Sequence, residues 1–109
     1  MRSILTSTIT VLVIAVGLLP WQGAVAAGSV KHGEFVYDKH CVECHGTGKK
    51  GAPELGDKDA WADRINKSEL LLADHAYFGH RKMPDLANCS SCTQQDYADA
   101  VAYMLSKVK

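Results

Sequence analysis

The sequence predicts a small all-helical domain behind an N-terminal export segment. No stretch alternates apolar and polar residues as a β-strand does, and apolar residues from Tyr97 to Leu105 recur at helical spacing. Glycine and proline are concentrated between the predicted helices, which indicates long loops. A domain of about 80 residues buries only a thin core, so we expect it to need a disulfide, a metal or a cofactor.

Length and charge exclude several classes of function. The chain has 109 residues with 12 basic and 12 acidic side chains, and its formal net charge is zero. This length supports one domain and is short for an enzyme with a deep substrate pocket. The chain has no excess of basic residues of the kind that nucleic-acid-binding proteins carry, so we expect no nucleic-acid partner.

Residues 1–27 have the features of a cleavable secretory signal peptide. Arg2 precedes an apolar run that Pro20 ends, and Ala24-Val25-Ala26 offers small residues at the spacing that a signal peptidase reads. We expect cleavage after Ala26 or Ala27, which leaves residues 28–109 as the mature domain. A retained membrane anchor is the alternative, although the run is short for a bilayer. Either route exports the domain to an oxidising compartment, the periplasm, where disulfides persist.

Four helices follow from apolar spacing and capping residues. Ser29, Ser68 and Thr93 precede three of them as N-caps, and Asp96 stands close to a capping box with Thr93. The predicted helices are Val30–His40, Lys58–Ile65, Glu69–Phe78 and a last helix after Thr93. Residues 41–57 and 81–91 are predicted as loops.

Cys41-Val42-Glu43-Cys44-His45 carries the strongest chemical signal. The C-x-x-C-H arrangement attaches a c-type haem, because two thiols three positions apart reach two vinyl groups on one porphyrin edge. His45 then projects its imidazole under the iron as the proximal ligand. The motif predicts one covalently attached haem c, with thioethers at Cys41 and Cys44.

Zinc binding is the competing interpretation of the four cysteines. Cys41 and Cys44 form one C-x-x-C pair and Cys89 and Cys92 form another. However, 44 residues separate the pairs, whereas a compact zinc ribbon has about 15–20. Residues 41–48 also spell the C-x-x-C-x-G-x-G repeat of the DnaJ-type zinc domain, but the second pair lacks the glycines. Haem is therefore favoured.

Met83 is the expected second axial ligand of the iron. It lies in a loop before Pro84, and a thioether there suits six-coordinate low-spin iron with a raised potential. Met104 falls on the apolar stripe of the last helix and is assigned to the core. His75 and His80 are rival ligands that would lower the potential.

Cys89 and Cys92 are expected to form a disulfide, because an exported protein rarely leaves two spare thiols. Closing a loop of four residues stabilises the fold by roughly 2 kcal/mol on the chain-entropy model. A redox-active pair is the alternative, although nothing in the sequence places a partner base beside the thiols.

These residues resemble a class I cytochrome c, and more closely the cytochrome c5 family. Gly33 and Tyr37 stand eight and four residues before Cys41, as in the family's first helix, and residues 102–104 are similar to the aromatic segment that crosses it. The resemblance implies about four helices and long loops wrapped around one covalently bound haem.

The resemblance also implies roles for residues around the haem. Pro53 would accept a hydrogen bond from Nδ1 of His45, and Trp61 would lie near a haem propionate. Cys89-Ser90-Ser91-Cys92 resembles the disulfide element of cytochromes c5. Asn88 departs from the family, because a glycine often stands there.

The predicted function is a soluble periplasmic carrier of single electrons, because His/Met ligation leaves no open position for substrate. A labile Met83, giving a peroxidase or a ligand sensor, is the alternative. The family implies a bc1-type donor and a terminal oxidase or reductase as acceptor. We expect a monomer or a weak dimer that meets a membrane only through partners or an uncleaved signal.

Two residue sets are predicted around the haem. The first is a cationic rim of Lys49, Lys50, Arg81 and Lys82. The second packs around the iron and consists of Phe35, Leu55, Leu70, Leu71, Leu86, Val101 and Met104.

Overall fold

The computed structural model describes Gly17 and residues 25–109, and in this part of the chain the prediction of an all-helical fold is confirmed. Most of the predicted signal peptide lies outside the described residues. The five α-helices are α1 Val30–His40, α2 Val42–His45, α3 Lys58–Trp61, α4 Glu69–Phe78 and α5 Gln94–Ser106. Two 3₁₀ turns span Lys49–Gly51 and Asp85–Asn88.

Two details of the predicted helices are wrong. The segment after Cys41 was expected to be loop, but it forms α2, because the backbone continues the helical hydrogen bonding of α1. The helix expected over Lys58–Ile65 ends at Trp61 and continues as irregular turns. The N-caps agree with the structure: Ser29 and Ser68 accept backbone hydrogen bonds, and Thr93 forms a capping box with Asp96.

The crossing of α1 and α5 is the scaffold of the domain. Gly33 is buried against the backbone of α5, and a Cβ at this position would overlap the carbonyl of Asp99. Tyr37 and Tyr103 pack beside this contact with ring centroids 5.3 Å apart. The close approach explains why the sequence has glycine at position 33.

A polar network ties the start of α1 to α5. The carboxylate of Asp99 accepts from the backbone N–H of Ser29 at 2.8 Å, from Nε2 of Gln95 at 3.0 Å and from Nδ1 of His32 at 2.7 Å. Burial raises the pKa of Asp99, but these hydrogen bonds outweigh it and hold the pKa below its usual value.

The core lies between α1, α4 and α5 and extends to Trp61 of α3. Val101 and Met104 are buried as predicted, whereas Phe35, Leu70 and Leu71 are exposed, and their packing around the iron stays a prediction. Helix α4 is apolar on several faces, and its spacing alone does not identify the buried one. Leu72, Ala73 and Ala76 occupy that face. Phe35 lies on the outer side of α1 beneath the ammonium of Lys39.

Among the helices of residues 25–109, none combines the length and the apolar character that crossing a bilayer requires.

Candidate functional site

Helix α2 brings Cys41, Cys44 and His45 together. The N–H of Cys41 donates to the carbonyl of Tyr37 at 2.9 Å, and the N–H of His45 donates to the carbonyl of Cys41 at 3.0 Å. Both cysteines are half-buried and free. Their thiols are therefore available three residues apart, with the imidazole immediately after them.

His45 is held by the loop that follows it. Its side chain is buried, and ring Nδ1 lies 2.9 Å from the carbonyl oxygen of Pro53. Its own carbonyl accepts from the N–H of Leu55 at 2.7 Å. A bond at Nδ1 fixes the tautomer that carries its proton there and leaves the lone pair on Nε2. Within residues 25–109, no hydrogen bond engages Nε2.

Burial shifts the pKa values of two groups in this motif. It lowers the pKa of His45, the hydrogen bond to Pro53 opposes this, and the charge of Arg64 adds to it. Burial, together with the neighbouring Cys44, raises the pKa of Cys41 to about 11. A neutral imidazole is the form that binds a metal.

Trp61 closes the proximal side of the site. Its ring centroid lies 6.3 Å from that of His45, and its indole N–H donates to the carbonyl oxygen of Glu54 at 2.9 Å. The residue is buried. Trp61 therefore supports the loop that carries Pro53, a contact that the sequence did not predict.

Met83 lies in the loop after α4, half-buried against the core cluster. Its backbone pairs with that of His80 in both directions, each N–H donating to the other carbonyl at 3.0 Å. The rival ligands contact each other instead: the rings of His75 and His80 stack with centroids 3.8 Å apart. His80 is exposed.

Three consecutive residues after Met83 have left-handed backbone angles, although none is glycine: Leu86 (φ 55°), Ala87 (φ 44°) and Asn88 (φ 59°). The hydroxyl of Tyr97 on α5 lies 2.6 Å from the carbonyl of Leu86 and 2.9 Å from that of Cys89, and donates to this pair. Helical spacing predicts Tyr97 only as a member of an apolar stripe. A buried tyrosine needs a partner for its hydroxyl, and that requirement was the available signal.

A disulfide joins Cys89 to Cys92, with Cα atoms 5.4 Å apart. A ring nitrogen of His40 lies within 4.8 Å of both sulfurs, so the bridge is beside the end of α1. The bond removes these cysteines as zinc ligands, and within residues 25–109 the four cysteines do not converge on one site.

The donor set fits a covalently bound haem. Two free thiols three residues apart, a buried imidazole whose Nε2 has no hydrogen bond within residues 25–109, and a half-buried thioether are the groups that hold haem c. The predicted cationic rim is changed in one respect. Lys49 forms an exposed ion pair with Glu43 at 2.7 Å, so among the described residues Lys50, Arg81 and Lys82 are the rim charges outside an ion pair.

Comparison with known sequences points to the same chemistry. Residues 28–104 match the family described as cytochrome c oxidase, cbb3-type, subunit III. The chain is 35% identical to cytochrome c-555 of Chlorobaculum tepidum, over 81% of this chain and 85% of that protein. It is 32% identical to cytochrome c5 of Ectopseudomonas mendocina, over 74% of this chain and 95% of that protein.

Comparison with solved structures confirms the predicted fold. The chain matches a cytochrome c in a crystal structure of an electron transfer complex with nitrite reductase. The TM-score is 0.67 and the identity 33%, covering 72% of this chain and 95% of the other.

Proposed function

Because the chain belongs to the cbb3-type subunit III family of c-type cytochromes, as a class I monohaem relative of cytochrome c5, we propose that it is a periplasmic electron carrier with His45 and Met83 as iron ligands. The chain is a small electron-transfer protein, not an enzyme, and it binds one haem c covalently. The iron ligands, the location and the partners are the proposed part.

The environment of His45 is the observation that supports the proposed iron ligation most directly. Nδ1 is engaged by Pro53, so the lone pair on Nε2 is available to a metal, and burial favours the neutral ring. Cys41 and Cys44 would anchor the haem beside this imidazole as thioethers. The haem supplies reversible one-electron chemistry, and the protein supplies its potential and its burial.

Met83 is preferred over His80 as the second ligand because of its burial and loop geometry. Met83 packs against the core, whereas His80 is exposed and stacked on His75. The two-way backbone pairing of His80 with Met83 couples the positions of both residues. Thioether ligation raises the potential and fills the coordination sphere, which suits a carrier.

Absorption spectra of the exported protein test the ligand set. We expect a low-spin spectrum with the weak long-wavelength band of methionine sulfur on ferric iron. Met83→Ala should abolish this band and lower the potential, whereas Met104→Leu in buried α5 should keep both. If Met83→Ala retains the band, Met83 is not the ligand. A band-free wild-type spectrum that changes in His80→Ala would assign histidine instead.

The proposed partners are redox proteins: a bc1-type donor and a terminal oxidase or reductase as acceptor. The relative in complex with nitrite reductase supports a reductase as acceptor. Lys50, Arg81 and Lys82 would steer an acidic surface of a partner by long-range attraction.

Charge reversal tests the steering role. Lys50→Glu with Lys82→Glu should slow reduction by the donor at low ionic strength, and high salt should mask the difference. Lys58→Glu, an exposed change on α3, is the control. An unchanged rate at low salt would remove this role from the two lysines.

A further inference from the structure

The backbone before α1 is held by side chains of α4 and α5. The N–H of Gly28 donates to Oε1 of Glu69 at 2.9 Å in a half-buried position, and the N–H of Ser29 donates to Asp99 at 2.8 Å. Gly28 is packed so closely that a Cβ would overlap the carbonyl of Ala98 and crowd Ala102. This fixed position coincides with the predicted cleavage site.

We infer that Glu69 is the docking site for the amino terminus that signal cleavage creates, the carboxylate receiving the new ammonium group. The inference rests on the proposed export and cleavage. Cleavage after Ala27 would convert the N–H of Gly28 into an ammonium that already lies at hydrogen-bond distance from Glu69. Cleavage after Ala26 would place the charge one residue away, about 3.8 Å further along the chain.

Residues upstream of the cleavage site are held by contacts that are easier to replace. Gln95 pairs with the N–H and the carbonyl of Ala26, but both hydrogen bonds are exposed, so water can substitute for them. Gln95 also keeps its bond to Asp99. Val25 lines a cavity of about 310 Å³ with Leu70 and Tyr77, and it would leave with the signal. Maturation therefore exchanges exposed contacts for an ion pair.

The neighbouring charged groups are those of the network of α1 and α5 and Asp74 of α4, which lines the cavity beside Val25. Asp99 faces Ser29 and is paired with His32, and Asp96 lies 3.8 Å from His32. A comparison that changes only Glu69 leaves this network in place. Any difference between the variants then reports on Glu69 itself.

The test uses the full precursor, expressed with haem attachment and export. Mass spectrometry of the exported protein should give a chain that begins at Ala27 or Gly28. The pH dependence of acylation of the α-amino group then gives its pKa. We expect the wild-type value to exceed that of Glu69→Gln by about half a pH unit. Glu34→Gln, an exposed change on α1, should leave it unchanged.

The stability of the folded protein gives a second readout. An amino group whose pKa is raised by folding stabilises the protein below its unfolded value of about 7.7–8.0, and this stabilisation disappears as pH rises through the folded value. The stability difference between wild type and Glu69→Gln should therefore shrink between pH 7 and pH 10. Glu69→Asp, which keeps the charge, should retain part of it.

Three outcomes overturn the inference. An uncleaved chain overturns it together with the proposed signal peptide. A mature chain that begins elsewhere places the ammonium away from Glu69. A correctly cleaved chain whose α-amino pKa is the same in Glu69→Gln removes only the role of Glu69, and an unchanged haem spectrum in that variant leaves the proposed carrier function standing.

Discussion

The two segments that carry the proposed iron ligands are held in place by different kinds of contact. In the proximal segment, residues 41–61, His45 is buried and hydrogen-bonded through both its ring and its backbone to the next loop. In the distal segment, residues 79–92, Met83 is only half-buried. Its loop is held by the hydroxyl of Tyr97 on α5 and by the disulfide within the segment.

Backbone angles sharpen this contrast. Most positive φ angles of the proximal segment fall on glycine, with Lys50 as the exception. In the distal segment they fall on Arg81, Leu86, Ala87 and Asn88 as well as on Gly79. Left-handed backbone costs about 1–2 kcal/mol for a residue with a Cβ. The distal loop is thus strained, and we expect Met83 to detach before His45 as the protein is destabilised.

Removing the disulfide should have the largest effect. Replacing Cys89 and Cys92 together by serine is expected to lower the free energy of unfolding by about 2 kcal/mol. In a denaturant titration, the long-wavelength band should disappear at a lower concentration than helical circular dichroism. Ser90→Ala, an exposed change within the same loop, is the control. Coincident loss of both signals in the double variant would show that the disulfide does not secure Met83 separately.

Tyr97→Phe should loosen the same loop by a smaller amount. The change keeps the ring and removes the proton that the carbonyls of Leu86 and Cys89 share, which is expected to cost about 1.5 kcal/mol. Band loss should again precede unfolding. Tyr103→Phe on the same helix is the matched control. If the two variants behave alike, the hydroxyl of Tyr97 has no special role in the loop.

The contrast also explains what the sequence could reveal. The haem-attachment motif could be identified from the sequence because its residues are contiguous. The caps at Ser29, Ser68 and Thr93 could be identified because each depends only on neighbouring residues in the chain. The contact from Tyr97 and the left-handed angles of Leu86 and Ala87 were not, because both depend on the packing of α5 against a loop. The buried face of α4 could not be identified because an apolar helix gives no preferred side.

Trp61→Phe tests the proximal side. It removes the indole N–H that donates to the carbonyl of Glu54, at an expected cost of about 1 kcal/mol. Because this contact supports the loop that orients His45, band loss and unfolding should shift together. Circular dichroism and haem absorption followed in one titration decide the point. A separation of the two transitions, as in the distal variants, would contradict the proposed division between the segments.

Exchanging glycine and alanine between the segments should give small effects of opposite sign. Gly51 has φ 78° and open space around an added Cβ, so Gly51→Ala imposes backbone strain alone and should cost about 1 kcal/mol. Ala87→Gly relieves similar strain but loses a half-buried methyl group and makes the unfolded chain more flexible. A gain of about 0.5 kcal/mol is expected, measured by thermal unfolding. Equal destabilisation by both changes would mean that the distal loop stores no strain, and its attachment to Tyr97 and to the disulfide would then need another explanation.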